Sequence, residues 1–375
     1  MVSRQALIVL FISLMPAVSS ATTWNVYEDG SGDAPTIQAA ADSSAQGDTV
    51  LVAPGTYFEN IYLLEKGIVL ISQSGPEITT IDGSAIAGPG IFFDMVEDGV
   101  IDGFTIRNGH ESGDRAIVMG GHGLIIRNNI LQENHTFGDG GAVQWEGSGA
   151  IENNVFIDNE AGSGGGLVMA YFGPDDTPLV RGNIFIDNQA VIRGGAIHLI
   201  ADEVIVEENL FISNEAPEGS GIYTEGNCPI RKNTFYGNRG AGGAISFRAV
   251  AAPLVENNII MNTLEGYAVN CVPVGGYTPE PHFSCNALWN NESGAWAGYG
   301  CEIFWWPGNF EGDPLLCDPE NGDFHLAENS PCAPGNHPGG YPCGLIGAFD
   351  SGCIPVPVAH PTTWGSIKAM YGSGK

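Results

Sequence analysis

The sequence predicts an all-β solenoid, and three observations predict it. A single phrase (apolar, two variable residues, Asn, any residue, apolar or aromatic, then a polar turn ending in a second Asn) recurs seven times between Leu124 and Asn291. Its first Asn falls at Asn129, Asn154, Asn183, Asn209, Asn233, Asn258 and Asn286, at intervals of 25, 29, 26, 24, 25 and 28. The second falls at Asn134, Asn159, Asn188, Asn214, Asn238, Asn262 and Asn291. Five copies add a Gly-rich step and a short apolar run, as in Gly140-Gly141-Ala142-Val143 and Gly194-Gly195-Ala196-Ile197. A fixed period in the twenties marks stacked supersecondary units, none able to bury its apolar face alone.

The period inside each unit decides which solenoid. Runs such as Ile151 to Phe156 are short, β-branched or aromatic, and bounded by Asn, Asp or Gly, too short for a helix at 3.6-residue spacing. Leucine-rich repeats match poorly, because their Leu spacing and helical return segment are both missing. A right-handed parallel β-helix of about ten coils fits, since strands stacked about 4.8 Å apart align like residues into ladders. Asn suits the bends: its side chain bonds local backbone, tolerates left-handed conformations, and can bond along a column. The inward positions should include Phe156, Ile184, Phe185, Phe211, Phe235 and Ile259.

The flanks complete the architecture. Residues 1–21 read as a secretory signal peptide, with Arg4, an apolar run from Ala6 to Val18, and Ser19-Ser20-Ala21 before Thr22. Residues 22–48 hold an N-terminal cap, a short helix over Thr36 to Ala45 with Ile37, Ala40 and Ala41 on one side, laid over strand edges that could otherwise pair with another chain. The β-helix is expected over 49–292 and a Cys-rich closing segment over 293–353. A Pro-rich linker and short tail, 354–375, follow. All eight cysteines lie from Cys228 onward, without the Cys-x-x-Cys spacing of a zinc site, and read as disulfides pairing nearest neighbours.

The repeats and the cap wording Gly47-Asp48-Thr49-Val50-Leu51-Val52-Ala53-Pro54-Gly55-Thr56-Tyr57 resemble those of secreted bacterial right-handed β-helix proteins of the pectin-lyase-like superfamily, over roughly Thr36 to Cys353. The resemblance implies an exported protein, at the outer cell surface or beyond it, and directs the search for chemistry to polysaccharides. Hydrolases of the fold need converging carboxylates as acid and base. Here Asp98, Asp102 and Asp114 are isolated, and Gly121-His122-Gly123 reads as a turn. Lyases of the fold use carboxylate-bound calcium with an Arg or Lys base. Asp175-Asp176 is the expected calcium site, and Arg181, Arg193, Arg231 and Arg248 are the basic candidates nearby. Arg127, Glu152, Arg181, Glu207, Arg231 and Glu256 share one repeat position and read as a ladder of charge pairs.

A net charge of −30 argues against nucleic acid or an anionic membrane as partner, and a monomer is expected. Trp289, Trp296, Tyr299, Trp305 and Trp306 could stack on sugar rings or cover the last coil. With neither catalytic pattern complete, the sequence favours a non-catalytic glycan-binding, adhesion or structural module. The alternative is a polysaccharide lyase or glycoside hydrolase acting on an acidic polysaccharide such as pectin.

Overall fold

The structure is a computed structural model that describes residues 21–85, 88–109, 116–170, 177–249 and 251–353. The signal peptide apart from Ala21, the linker and tail, and Asp114, Asp175 and Asp176 lie outside the described residues.

The strands stack in parallel into three ladders that wind as one solenoid. The first begins with Thr23–Val26, Thr49–Val52 and Val69–Ser72 and ends at His282–Ser284. The second runs from Ile61–Leu64 through Leu167–Met169, Ile197–Leu199, Ile222–Thr224 and Ile245–Arg248 to Trp296–Ala297. The third runs from Gly55–Tyr57 to Phe310–Glu311 and has 11 strands, against the ten coils expected. Ile117–Arg127 and Val143–Glu152 pass from the second ladder to the first without a break. Gly121-His122-Gly123 therefore lies within a strand at that corner, bulged between Gly121 and Leu124, and is no turn. The expected helix spans Ile37–Ser43, with Thr36 as its N-cap accepting the Ala39 N–H at 3.0 Å.

Alternation along each strand places one apolar row inside. Phe156, Phe185, Phe211 and Phe235 are fully buried and stack ring on ring at 4.5, 5.1 and 4.5 Å. Two expected core residues point the other way. Ile184 pairs with Val155 and Leu210, and Ile259 with Thr234, all on the outer row of the third ladder; Ile260 takes the inward place. These outward residues are apolar because the chain's own end covers them: Phe324, Leu316 and Phe349 pack on Ile157, Ile186 and Ile212, and Leu326 and Ile346 pack near Ile259 and Met261. The Cys-rich segment thus folds back as a strap along the outside of the solenoid.

The Asn columns fill the bends. From Asn129 to Asn309, each Asn side-chain oxygen accepts the backbone N–H of the column Asn one coil earlier, and in Asn129 that of Phe104. The residue before each is left-handed, including Asn128, Asn153, Glu208 and Lys232 at φ 55, 55, 58 and 53°. The second column departs from expectation at one coil, where Thr263 is buried in the column and Asn262 is its left-handed neighbour at φ 55°.

Nearest-neighbour cysteine pairing is also corrected. The bridges are Cys271–Cys301, Cys285–Cys343 and Cys317–Cys353, with Cys228 and Cys332 free and buried. In a coiled chain, spatial neighbours lie about one coil apart or across the strap, so sequence order does not choose partners. Burial pushes both free thiols up to about 12, leaving them unreactive.

Candidate functional site

The expected aromatic platform does not form one surface. Trp289 sits on the outer row of the third ladder beside Met261. Trp296 pairs with Val269 in the second ladder and packs against the core, as a cap residue does. Trp306 stacks near His282 of the first ladder, ring centroids 4.7 Å apart. Tyr299 and Trp305 are 76% and 82% exposed. Among the described residues no group of three His, Cys, Asp or Glu could hold a metal ion, and no helix is long and apolar enough to cross a membrane.

The charge ladder forms on the outer face of the first ladder. Arg127 meets Asp102 at 2.7 Å, Arg181 meets Glu152 at 2.7 Å and Glu207 at 3.8 Å, and Arg231 meets Glu207 at 2.7 Å. Its arginines are already paired and solvated, an arrangement that stabilises little and offers no free chemistry.

The outer face of the second ladder is different. Strand alternation sends Ile197 and Leu199, Ile222 and Thr224, and Ile245 and Phe247 inward. It stacks Val168, His198, Tyr223 and Ser246 on the outer row. His198 is 5% exposed and Tyr223 0%. Neither ring nitrogen of His198 nor the Tyr223 hydroxyl has a hydrogen-bond partner among the described residues, which is costly for buried polar groups and rare in structural roles. The two rings meet edge to face at 5.3 Å.

Two arginines and a glutamate lie over this pair. Arg193, at the end of Gln189–Arg193, sets its guanidinium 5.0 Å from the centre of the Tyr223 ring. Its Nη1 reaches the Glu225 carboxylate at 2.9 Å, Arg248 Nη1 reaches the same oxygen at 3.4 Å, and His198 Nε2 lies 3.8 Å from it. The neighbouring His198 imidazole, with Arg248 and Arg193, holds the Glu225 carboxyl below its ordinary range. Burial raises the Tyr223 hydroxyl, keeping it protonated. A groove of about 230 Å³ runs alongside, lined by Arg193, Glu218, Arg248, Ile192, Val272 and Val274. The cluster sets two guanidinium groups beside a phenol, which is a proton donor, and an imidazole, which can accept a proton.

Sequence reasoning took Arg193 and Arg248 only as neighbours of Asp175-Asp176 and passed over His198, Tyr223 and Glu225. A signal was present: after each Gly-rich step the second residue of the strand that follows points outward, and it reads Gln144, Val168, His198, Tyr223, Ser246. At the corner between the second and first ladders, His122 Nδ1 lies 3.1 Å from Ser148 Oγ, beside Asp94 and Glu97.

Residues 66–229 match the family model described as right handed beta helix region, and the chain is a right-handed parallel β-helix solenoid. No curated protein matches the chain. Among solved structures, a pectin methylesterase from Aspergillus niger is 13% identical over 81% of this chain and 93% of its own, with a TM-score of 0.39. A mannuronic acid specific polysaccharide family 6 lyase from human gut microbiota is 11% identical over 79% and 85%, with a TM-score of 0.40. The catalytic unit of a thermostable alpha-1,3-glucanase from Streptomyces thermodiastaticus is 14% identical over 80% and 70%, with a TM-score of 0.38.

Proposed function

We propose that this is an exported protein that acts on an acidic polysaccharide at the outer face of its second ladder, as a lyase. The observation that carries the reading is a buried imidazole and a buried phenol, neither with a hydrogen-bond partner among the described residues, beneath two arginines. Export is supported by the three disulfides, which persist in oxidising compartments. The chemistry follows from the groups. Arg193 and Arg248 neutralise the carboxylate of a uronate, which acidifies the adjacent C–H. His198 takes that proton, and a C=C bond forms as the C–O bond to the next sugar breaks. The departing oxygen leaves with the electron pair and receives the Tyr223 proton. The step needs no external oxidant, reductant or nucleophile.

A second reading, non-catalytic glycan binding, is favoured by the exposure of Tyr299 and Trp305 at the closing end. The deciding experiment incubates the protein with polygalacturonate and with alginate and measures unsaturated product by ultraviolet absorbance, for the parent, His198→Ala and Tyr223→Phe. Release by the parent that both variants abolish supports the lyase. Binding without product leaves the glycan-binding reading in its place.

A further inference from the structure

We infer that Glu225 is an internal stand-in for the ligand's carboxylate, occupying the arginine pair in the free protein and giving it up when a uronate binds. The inference rests on the reading of the second-ladder face as an acidic-glycan site and adds how that site is regulated and what it selects.

Three observations lead to it. The Glu225 carboxylate takes both available cations, Arg193 at 2.9 Å and Arg248 at 3.4 Å, through a single oxygen, Oε1. One oxygen shared by two guanidinium groups is a poor use of forks that match two oxygens side by side, so a better-placed carboxylate can displace it. Glu225 also stands at the solvent edge of the cluster. It follows the strand Ile222–Thr224, and its side chain is 34% exposed, whereas the residues it covers are almost wholly buried. Swinging into solvent gives up those ion pairs, and the water that then solvates the carboxylate offsets part of the loss. Finally, the chain carries 43 acidic against 13 basic residues, so an anionic glycan is repelled over most of the surface. A site that admits one needs cations that are paired when empty and released when filled. Without Glu225, the two guanidinium groups over the buried imidazole would keep only Glu218, which lines the groove beside them, as a nearby carboxylate.

Selectivity follows from the same exchange. A neutral sugar has nothing to offer the arginines in return for Glu225, so it leaves the pair closed. A carboxylate-bearing sugar replaces one anion with another of the same charge. The site therefore selects for uronates through competition with its own glutamate, and a methyl ester at that position removes the basis for the exchange.

The test is calorimetric titration of the full-length protein with an oligogalacturonate and with its fully methyl-esterified form, for the parent, Glu225→Gln, Arg193→Ala and Arg248→Ala. Each variant's thermal transition is checked first, and Glu225→Ala stands in if the glutamine variant is unstable. The expected result is that Glu225→Gln binds the oligogalacturonate about tenfold more tightly than the parent, since the competing charge is gone. Either arginine variant should bind it at least about tenfold more weakly, and the ester should not bind. If the arginine variants weaken binding and Glu225→Gln weakens it too, Glu225 supports the arginines and is no stand-in, which overturns this inference and leaves the site in place. If the arginine variants bind like the parent, the site reading itself fails.

Discussion

Removing one Asn from the first column should cost far more than a turn residue normally does. Asn209 is fully buried; its side-chain oxygen accepts the Asn183 N–H at 2.9 Å and the Asn183 amide at 3.0 Å. Its own amide donates to Val180 O and Glu207 O, both at 2.9 Å, and to Asn233 Oδ1 at 3.0 Å. Asn209→Ala leaves the buried Asn183 N–H without this acceptor, and an orphaned buried group costs about 1–3 kcal/mol. The carbonyls of Val180 and Glu207 each lose a donor as well, at about 0.5–1.5 kcal/mol for a typical bond. Glu207 O is partly buried and can turn to water, so the total comes to about 1.5–4.5 kcal/mol. Bonds in a continuous column also polarise one another, which pushes the loss towards the upper end. Urea denaturation followed by circular dichroism measures it, with Asn153→Ala as the comparison. Asn153 is exposed and left-handed at φ 55°, so alanine there costs only the strain of that conformation, about 1–2 kcal/mol. A loss for Asn209→Ala no larger than for Asn153→Ala would refute the buried-column account.

The two ends of the aromatic cluster should separate cleanly: Trp296→Ala opens the last coil and lowers the melting temperature, whereas Trp305→Ala, at an 82% exposed position, leaves it unchanged within error. Ending the chain after residue 312 strips the strap from Ile157, Ile186, Ile212, Ile259 and Met261, so the shortened protein should bind a hydrophobic dye and self-associate where the full chain does neither. Arg181→Ala removes two ion pairs at the surface, made by an exposed arginine to two partly covered carboxylates, and should cost about 1 kcal/mol by thermal melting, because surface pairs contribute little. Glu225 has a lowered carboxyl pKa. Its contribution to stability is therefore present above the ordinary glutamate range and lost as pH falls through the depressed value, so the parent should lose more stability on acidification than Glu225→Gln does.

The fold was legible because a β-helix writes its geometry as a period. The same Asn must return at each bend, so Asn129 through Asn286 could be aligned by eye, and the alternation around Phe156 and Phe211 followed. What the period cannot carry is contact with something outside the repeat. Ile184 and Ile259 look like core residues and are partly and fully buried, but by the strap, whose path over the third ladder leaves no trace in the local pattern. The same holds for Cys285 and Cys343, joined at a sequence separation of 58. Thr263 in place of Asn262 shows the limit on a finer scale: a left-handed residue and a column residue are adjacent, and Asn suits both places. The site was hidden for a related reason. His198, Tyr223 and Arg248 belong to three successive coils, and only stacking brings them together, whereas motif reading looks for neighbours in one stretch.

The measurement that tests the central claim most directly is diffraction from crystals soaked with an acidic oligosaccharide. The account predicts sugar density along the outer face of the second ladder, with a uronate carboxylate between Arg193 and Arg248 and the Glu225 side chain turned away from them. Density confined to Tyr299, Trp305 and Trp306, with Glu225 still held by both arginines, would contradict it.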